Sequence, residues 1–302
     1  MVLGVSAAYL SASALGGWFS SITDPKERNT LSKWLNIANI GGTGVAAMLG
    51  GQLVRHLPIH AAAALLGLMV FLPATIYLMI PAQGPDRRLA AESFGQFNRE
   101  VLALLRRREV VVVLLLFLLP CSSFALTNLL GGLGSDFHAS AEVVSLAGGA
   151  GVVIPGILGC MLFPVVATRV PLRSFYLANG MVGAMFTLSL IVLPHTAWTF
   201  DLALFGQYLF QAVAFSIQLC LVFEAIGANN PLAATTFAFL TAATNVPLTA
   251  MMFIDGRAYA VAGIAGMLAV DALIGIAACI LAGILLAKYD PRASRSAIET
   301  TV

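Results

Sequence analysis

Long apolar stretches with almost no charge recur along the whole chain, and they limit what it can fold into. The first twenty residues, MVLGVSAAYLSASALGGWFS, hold no charged side chain. A helix needs about 18 to 25 mostly apolar residues to cross about 30 Å of hydrocarbon. Of the 302 residues, 59% are hydrophobic and 10% are charged, so a water-soluble globule would expose apolar surface on every side. The sequence therefore predicts a polytopic membrane protein.

The apolar windows predict about nine transmembrane helices. We place these helices at residues 1–20, 36–54, 60–80, 110–133, 143–167, 173–194, 200–224, 231–254 and 261–287. Strands of a membrane barrel would alternate polar and apolar residues over segments of about ten, and this chain does not alternate. The predicted fold class is therefore an all-α polytopic membrane protein.

Lysine and arginine cluster in alternate connections between these windows. The clusters lie at residues 26–33, 87–108, 169–173 and 288–295. Because cytoplasmic loops of membrane proteins are enriched in basic residues, this pattern predicts a cytoplasmic C-terminus and an external N-terminus. The net charge of +2 then reflects topology, and we expect the lipid bilayer rather than nucleic acid as the partner of the basic segments.

One long polar connection, residues 81–109, divides the chain. Its second part is amphipathic, with Phe94, Phe97, Val101 and Leu104 at helical spacing among charged neighbours. We therefore predict a partial N-terminal lobe over 1–80, with about three helices, and a cytoplasmic linker with an amphipathic helix over 81–109. A C-terminal lobe of about six helices follows over 110–288, and a cytoplasmic tail over 289–302.

Three stretches resemble the major facilitator superfamily of transporters. GCMLFPVVATRVPLR at 159–173 is similar to the loop from glycine to arginine between that family's eighth and ninth helices, without the usual aspartate. DPKER at 24–28 resembles the turn after its fourth helix. ATTFAFLTA at 234–242 resembles the start of its eleventh helix in the branch of peptide, acetyl-coenzyme A and drug transporters, which includes muropeptide permeases.

The resemblance covers nearly the whole chain and makes the predicted spans equivalent to helices 4–12 of the major facilitator fold. It implies secondary active transport of a small polar solute by alternating access, with proton symport, in the bacterial inner (plasma) membrane. Because the family's first three helices have no counterpart, we expect Met1 to be an internal methionine of a longer protein. The alternative is a genuine nine-helix protein completed as a homo-oligomer.

Three glutamines lie on one side of the span at 200–224. Gln207, Gln211 and Gln218 fall within about 40° of one another around a helix. Unsatisfied amides in hydrocarbon cost several kcal/mol, so this stripe must face protein or a water-filled cavity. Lining of a substrate cavity and hydrogen bonding between helices are both consistent with the pattern.

Other polar residues within spans are also candidates for a substrate cavity. Pro120 predicts a kink in the span at 110–133, because it releases a backbone carbonyl beside several hydroxyls. The span at 231–254 contains Pro247 beside several polar side chains and reads as an interrupted helix, for which we predict a role in gating. The further cavity candidates in these spans and the first one are Tyr9, Ser123, Thr127, Asn128 and Asn245.

Asp271 is the only acidic residue that the predicted spans place deep in the membrane. An intramembrane carboxylate suggests a functional role, and we take Asp271 as the candidate for proton coupling, with buried structural pairing as the alternative. Asp255 falls between two predicted spans, so we expect it at a solvated outer interface.

No set of residues suggests catalysis, a metal or a cofactor. The glycine runs lack the strand and the Gly-Lys-Ser/Thr sequence of a phosphate-binding loop. The histidines fall in predicted outer connections, and the four cysteines are isolated within spans. We therefore predict no enzyme activity. Besides transport, the sequence leaves open a truncated, non-transporting remnant, a membrane scaffold and, least favoured, a membrane-embedded enzyme.

Overall fold

The computed structural model describes residues 2–75, 94–227, 230 and 232–289, and all regular structure within them is helical. Short 3₁₀ segments join several of the helices. In chain order the α-helices of the described residues are Val2–Ile22 (α1), Arg28–His56 (α2), Ile59–Ala74 (α3), Phe94–Leu105 (α4), Arg108–Leu118 (α5), Leu126–Leu129 (α6), Ala141–Gly148 (α7), Val153–Ala167 (α8), Leu172–Ile191 (α9), Ala197–Ile226 (α10), Ala233–Ala243 (α11) and Asn245–Tyr289 (α12).

Four helical stretches among the described residues are long and apolar enough to cross a membrane. They are Ala141–Ala167, Leu172–Ile191, Ala197–Ile226 and Ala233–Lys288. The predicted all-helical membrane class agrees with these stretches, and the spans predicted at 173–194 and 200–224 match α9 and α10 to within a few residues. The count of about nine spans stays a prediction.

The kink predicted at Pro120 is present as a complete break. Helix α5 ends at Leu118, Leu119 is extended, and a 3₁₀ turn begins at Pro120. An extended residue is expected there, because the proline ring disfavours helical geometry in the residue before it. The chain then passes through Phe124, which has a positive φ of 47°, before α6 begins.

The interruption predicted near Pro247 is also present. Helix α11 ends at Ala243, Thr244 forms a turn, and α12 begins at Asn245. Pro247 has no N–H to donate to the carbonyl four residues earlier, which belongs to Ala243. The backbone is therefore weakened where the two helices join.

Helix α12 is a hairpin of two arms, 245–261 and 264–289, rather than one long rod. Its backbone leaves helical geometry at Ala262 and at Gly263, which has a positive φ of 64°. Pro247 in the first arm and Gly275 in the second both border the segment that follows Pro120. Such a meeting requires the chain to reverse, and glycine permits the left-handed backbone at the turn.

Two apolar clusters fill the C-terminal helices, and a polar interval separates them. The first cluster includes Leu116, Phe117, Tyr176, Ile217 and Leu221. The second includes Leu126, Phe137, Leu190, Phe200 and Leu268. Between the two, α9 carries Thr187, α10 carries Gln207 and α12 carries Asp271. These three side chains, with the 120–124 segment beside them, form what we call the polar band.

The first two helices pack directly on the C-terminal helices. Gly16 and Gly17 of α1 lie against Phe237 and Ala234 of α11, where a Cβ at either glycine would collide. Helix α2 packs on α8 and α10, and its Ser32 hydroxyl donates to the Ser216 carbonyl at 2.6 Å. Small residues at these contacts allow the helix backbones to approach closely.

The structure describes only the second part of the predicted linker. Helix α4, Phe94–Leu105, occupies the predicted amphipathic stretch, and its Leu104 is buried. Residues 81–93 and the predicted tail from 290 onward lie outside the described residues, as do the side chains of Phe94 and Phe97.

Candidate functional site: a polar band between two clefts

The broken segment after α5 lies between two clefts that share Ser122 and Ser123. The aspartate cleft lies between this segment, α9, α10 and the second arm of α12, and its cavity of about 20 Å³ has room for about one water molecule. Its lining includes Ser123, Phe124, Gly180, Thr187, Gln207 and Asp271. Asp271 is the one acidic side chain among the residues that line it.

The proline cleft lies on the other side of the segment and has a cavity of about 50 Å³. It is bordered by both helix interruptions, the one after Leu119 and the one at Thr244. Its polar lining is neutral, and consists of Ser122, Ser123, Tyr176, Gln218, Thr244 and Asn245. Pro247 also lines this cleft, so the residue predicted to gate stands at its wall.

Glycines on α9 let the broken segment lie close to that helix. A Cβ on Gly180 would collide with the carbonyl oxygen of Cys121, and one on Gly183 would meet the ring of Phe124 at 2.9 Å. A hydrogen bond from the Ser122 hydroxyl to the Tyr176 carbonyl, at 3.4 Å, joins the same two elements. The packing on α9 therefore holds a non-helical backbone in the interior of the protein, where lipid cannot reach it.

Each of the three striped glutamines donates to a hydroxyl group on another element. The Nε2 atom of Gln207 donates to Thr187 at 2.7 Å, that of Gln211 to Thr127 at 2.9 Å, and that of Gln218 to Tyr176 at 3.1 Å. Gln207 and Gln218 also line the two clefts. These two residues therefore each bond to another helix and border a cleft, and a role in lining a substrate cavity stays a prediction.

The other predicted cavity residues are more dispersed. Ser123 borders both clefts, and Asn245 is an exposed residue at the edge of the proline cleft. Thr127 is buried and donates to the Phe124 carbonyl at 2.7 Å, while Asn128 is exposed, and neither lines these two clefts. Tyr9 belongs to α1, and its side chain lies outside the described residues.

The expectation that Asp255 is solvated is wrong. Its side chain is 0% exposed, and neither of its carboxylate oxygens accepts a hydrogen bond from the described residues. The sequence prediction failed because it ended one span at residue 254, whereas the helix continues to the turn at Ala262 and Gly263. Asp255 and Asp271 each lie eight residues from Gly263, and this equal spacing becomes informative only when the structure locates the turn.

Histidine and cysteine play no visible part in either cleft beyond Cys121. The four histidines are all exposed, and the four cysteines are free and buried. Within the described part of the chain, no group of three or more histidine, cysteine, aspartate or glutamate side chains is arranged to hold a metal ion.

Comparisons with family models, with curated proteins and with solved structures give no match. The resemblance to the major facilitator superfamily therefore rests on the three sequence stretches at 24–28, 159–173 and 234–242.

Proposed function

We propose that the protein is a secondary active transporter that moves a small polar solute by alternating access. The proposal includes membership of the major facilitator superfamily, a location in the bacterial inner membrane and a cytoplasmic C-terminus. The solute and protons are its proposed partners, and proton symport is the proposed coupling.

The observation that carries this proposal is the pair of interrupted helices at the wall of one polar cleft. The break after Leu119 and the turn at Thr244 both border the proline cleft. Broken helices at membrane depth expose backbone groups that must be buried in protein or line an aqueous cavity. In transporters, such discontinuities mark the site where solute binds.

The lining of the proline cleft indicates the chemistry of the solute. Its polar groups are hydroxyls and amides, among them Ser123, Gln218 and Asn245, and no charged side chain lines it. Neutral donors and acceptors recognise neutral or zwitterionic polar molecules without leaving a charge unpaired. We therefore propose an uncharged or zwitterionic solute, such as a sugar, an amino acid or a short peptide.

The contacts between the first two helices and the C-terminal helices suit a rocking motion. Gly16 and Gly17 of α1 lie against α11, and Gly156 of α8 lies against Ile40 of α2. Smooth surfaces of small residues allow helices to slide without separating. Rocking of one bundle against another is how alternating access is achieved around a fixed site.

Uptake by proteoliposomes tests the proposal. The full chain is purified, reconstituted and given an inward proton gradient, with a labelled panel of amino acids, dipeptides, sugars and muropeptides outside. We expect at least one member to accumulate above the level of protein-free liposomes, and a protonophore to abolish the accumulation.

Two matched variants separate transport from its coupling. Asp271→Asn should remove the dependence of the uptake rate on external pH, because it removes the carboxyl that lines the aspartate cleft. Asp136→Asn should keep that dependence, because Asp136 accepts a hydrogen bond from Tyr259 at 2.8 Å and lines neither cleft. Absence of uptake for the whole panel would contradict the proposal and favour the scaffold alternative.

A further inference from the structure

The hairpin of α12 brings two aspartates together from opposite arms. Asp255 and Asp271 are 16 residues apart, which would separate them by about 24 Å in one straight helix. After the reversal at Ala262 and Gly263 each aspartate lies eight residues from the turn on its own arm, so the two carboxyl groups are neighbours and one can donate a hydrogen bond to the other once it is protonated. Such a bond needs a proton, because two ionised carboxylates have only acceptors.

The two aspartates differ in their access to the aspartate cleft. Asp271 lines the cleft and is half-buried. Asp255 is not among the residues that line the cleft, is 0% exposed, and accepts a hydrogen bond at neither oxygen from any group in the described part of the chain. A fully buried carboxylate without a donor is strongly disfavoured, so Asp255 is the member of the pair that must be neutral.

Among the residues that the structure describes, no cation on the packed elements reaches the pair to neutralise it. The side chains that α9 and α10 present to the aspartate cleft, Thr187 and Gln207, are neutral. Arg257 is exposed and lies over the ring of Phe253, at 5.3 Å from its centroid. Several other titratable groups on neighbouring elements have partners or positions of their own. Cys279 donates to the Cys121 carbonyl, Tyr259 bonds to Asp136, and Tyr208 donates to the Thr127 carbonyl. Tyr176 accepts from Gln218, and Asp201 lines a separate pocket.

We propose that Asp255 and Asp271 together form a binding site for one proton, with the proton on Asp255 and its hydroxyl donating to the ionised Asp271. A role for this proton site in coupling solute movement to protons rests on the proposed transport function. The site itself follows from the geometry of the hairpin.

The arrangement supplies a short route for the proton. The O–H bond of Asp255 breaks as a new O–H bond forms on Asp271, and the negative charge moves from Asp271 to Asp255. Asp271 then releases the proton to water in the aspartate cleft, and binding follows the same steps in reverse. Asp255 therefore holds the proton, and Asp271 exchanges it with water in the cleft.

Infrared spectroscopy of the purified full chain tests the site without measuring transport. A protonated carboxyl group gives a carbonyl stretching band that an ionised one lacks. We expect the wild-type protein at pH 7 to show this band, and expect it to shift when the aspartate carboxyls are isotopically labelled but not when the glutamates are. The labelling result needs no variant, so it stands even if a substitution prevents folding.

Three variants assign the band. Asp255→Asn should abolish it, because the asparagine amide replaces the hydroxyl as donor to an ionised Asp271. Asp271→Asn should retain it, since the buried Asp255 stays neutral, and the control Asp136→Asn should not change it. Circular dichroism and gel filtration verify that each variant is folded.

Several results would overturn the proposed site. One is a wild-type spectrum with no band from a protonated aspartate. Another is a band unchanged by Asp255→Asn, or one halved by each single variant, which would indicate two neutral acids. A band that appears only after removal of sodium would assign the pair to a metal cation instead. A protein that shows the expected band but no uptake would retain the proton site and lose the transport proposal.

Discussion

At the scale of single residues, the candidate site depends on two close approaches that only small side chains allow. Gly180 lies where a Cβ would collide with the Cys121 carbonyl oxygen, and Gly183 lies under the ring of Phe124. These contacts hold the non-helical segment that borders both clefts. The polar groups of the site are then positioned by hydrogen bonds to their neighbours, such as that from Gln207 to Thr187.

Substitution of Gly180 by alanine should destabilise the protein by about 1–3 kcal/mol, the usual range for overpacking a well-filled interior. The free energy of unfolding in detergent, from denaturant titration, measures this effect. Gly283→Ala is the matched control, since the nearest atom to its added Cβ is Leu177 Cδ1 at 3.9 Å. Alanine at 283 should be neutral or stabilise the helix by about 0.5–1 kcal/mol. Equal effects at both positions would contradict the close approach.

The sequence predicted residue types at the site better than it predicted their partners. Ser123, Gln207 and Asp271 were recognisable because polar side chains are rare and costly in apolar spans, and all three border the aspartate cleft. Asp255 was missed, because a charged residue near the end of an apolar window ordinarily marks a loop. Contacts between residues far apart in the chain, such as Gln218 with Tyr176, leave no trace in local sequence.

At the scale of helices, most of the correct predictions came from the positions of prolines and from the lengths of the apolar windows. Pro120 and Pro247 each predicted an interruption, because proline lacks the N–H that an intact helix needs. The ends of α9 and α10 followed from the length of their apolar windows. The reversal at Ala262 and Gly263 could not be located, because the surrounding stretch AVAGIAGML contains two glycines and no polar turn residue.

The hairpin also places two cysteines against each other. Cys279, on the second arm of α12, donates from its Sγ atom to the Cys121 carbonyl at 3.4 Å, and the two thiols interact. We expect a membrane-permeant oxidant to form an intrachain disulfide between them, detected by intact mass and peptide mapping. Cys160 and Cys220 are internal controls that should remain free. A disulfide involving either control, or none at all, would contradict the packing of the second arm against the 120–124 segment.

Replacement of Pro247 by alanine should impair gating. Alanine restores an N–H that can donate to the Ala243 carbonyl, so α11 and α12 should join into a straighter helix. We expect the maximum uptake rate to fall about tenfold, which corresponds to about 1.4 kcal/mol on the limiting step. Pro155→Ala is the control, because Pro155 also lies in the first turn of its helix but borders neither cleft. Unchanged kinetics in the Pro247 variant would remove the gating role.

At the scale of the whole molecule, the first two helices pack on the C-terminal helices over surfaces of small residues, and the polar band lies among the C-terminal helices. Ser123 borders both clefts at the broken segment, so it is the position where access from the two sides can be compared. If the protein works by alternating access, this position must become open to water from each side of the membrane in turn. A protein that only anchors or organises others has no such requirement.

Labelling of a cysteine at position 123 measures this property directly and requires no knowledge of the solute. Ser123→Cys is introduced into a chain whose four native cysteines are replaced, and membrane-impermeant maleimide is applied to right-side-out and inverted vesicles. Ser140→Cys, at an exposed helix cap, should react from one side only, and Ser216→Cys, which is fully buried, should react from neither. Alternating access predicts that Ser123→Cys reacts from both sides. Reaction from one side alone, or from neither, would contradict alternating access at this site.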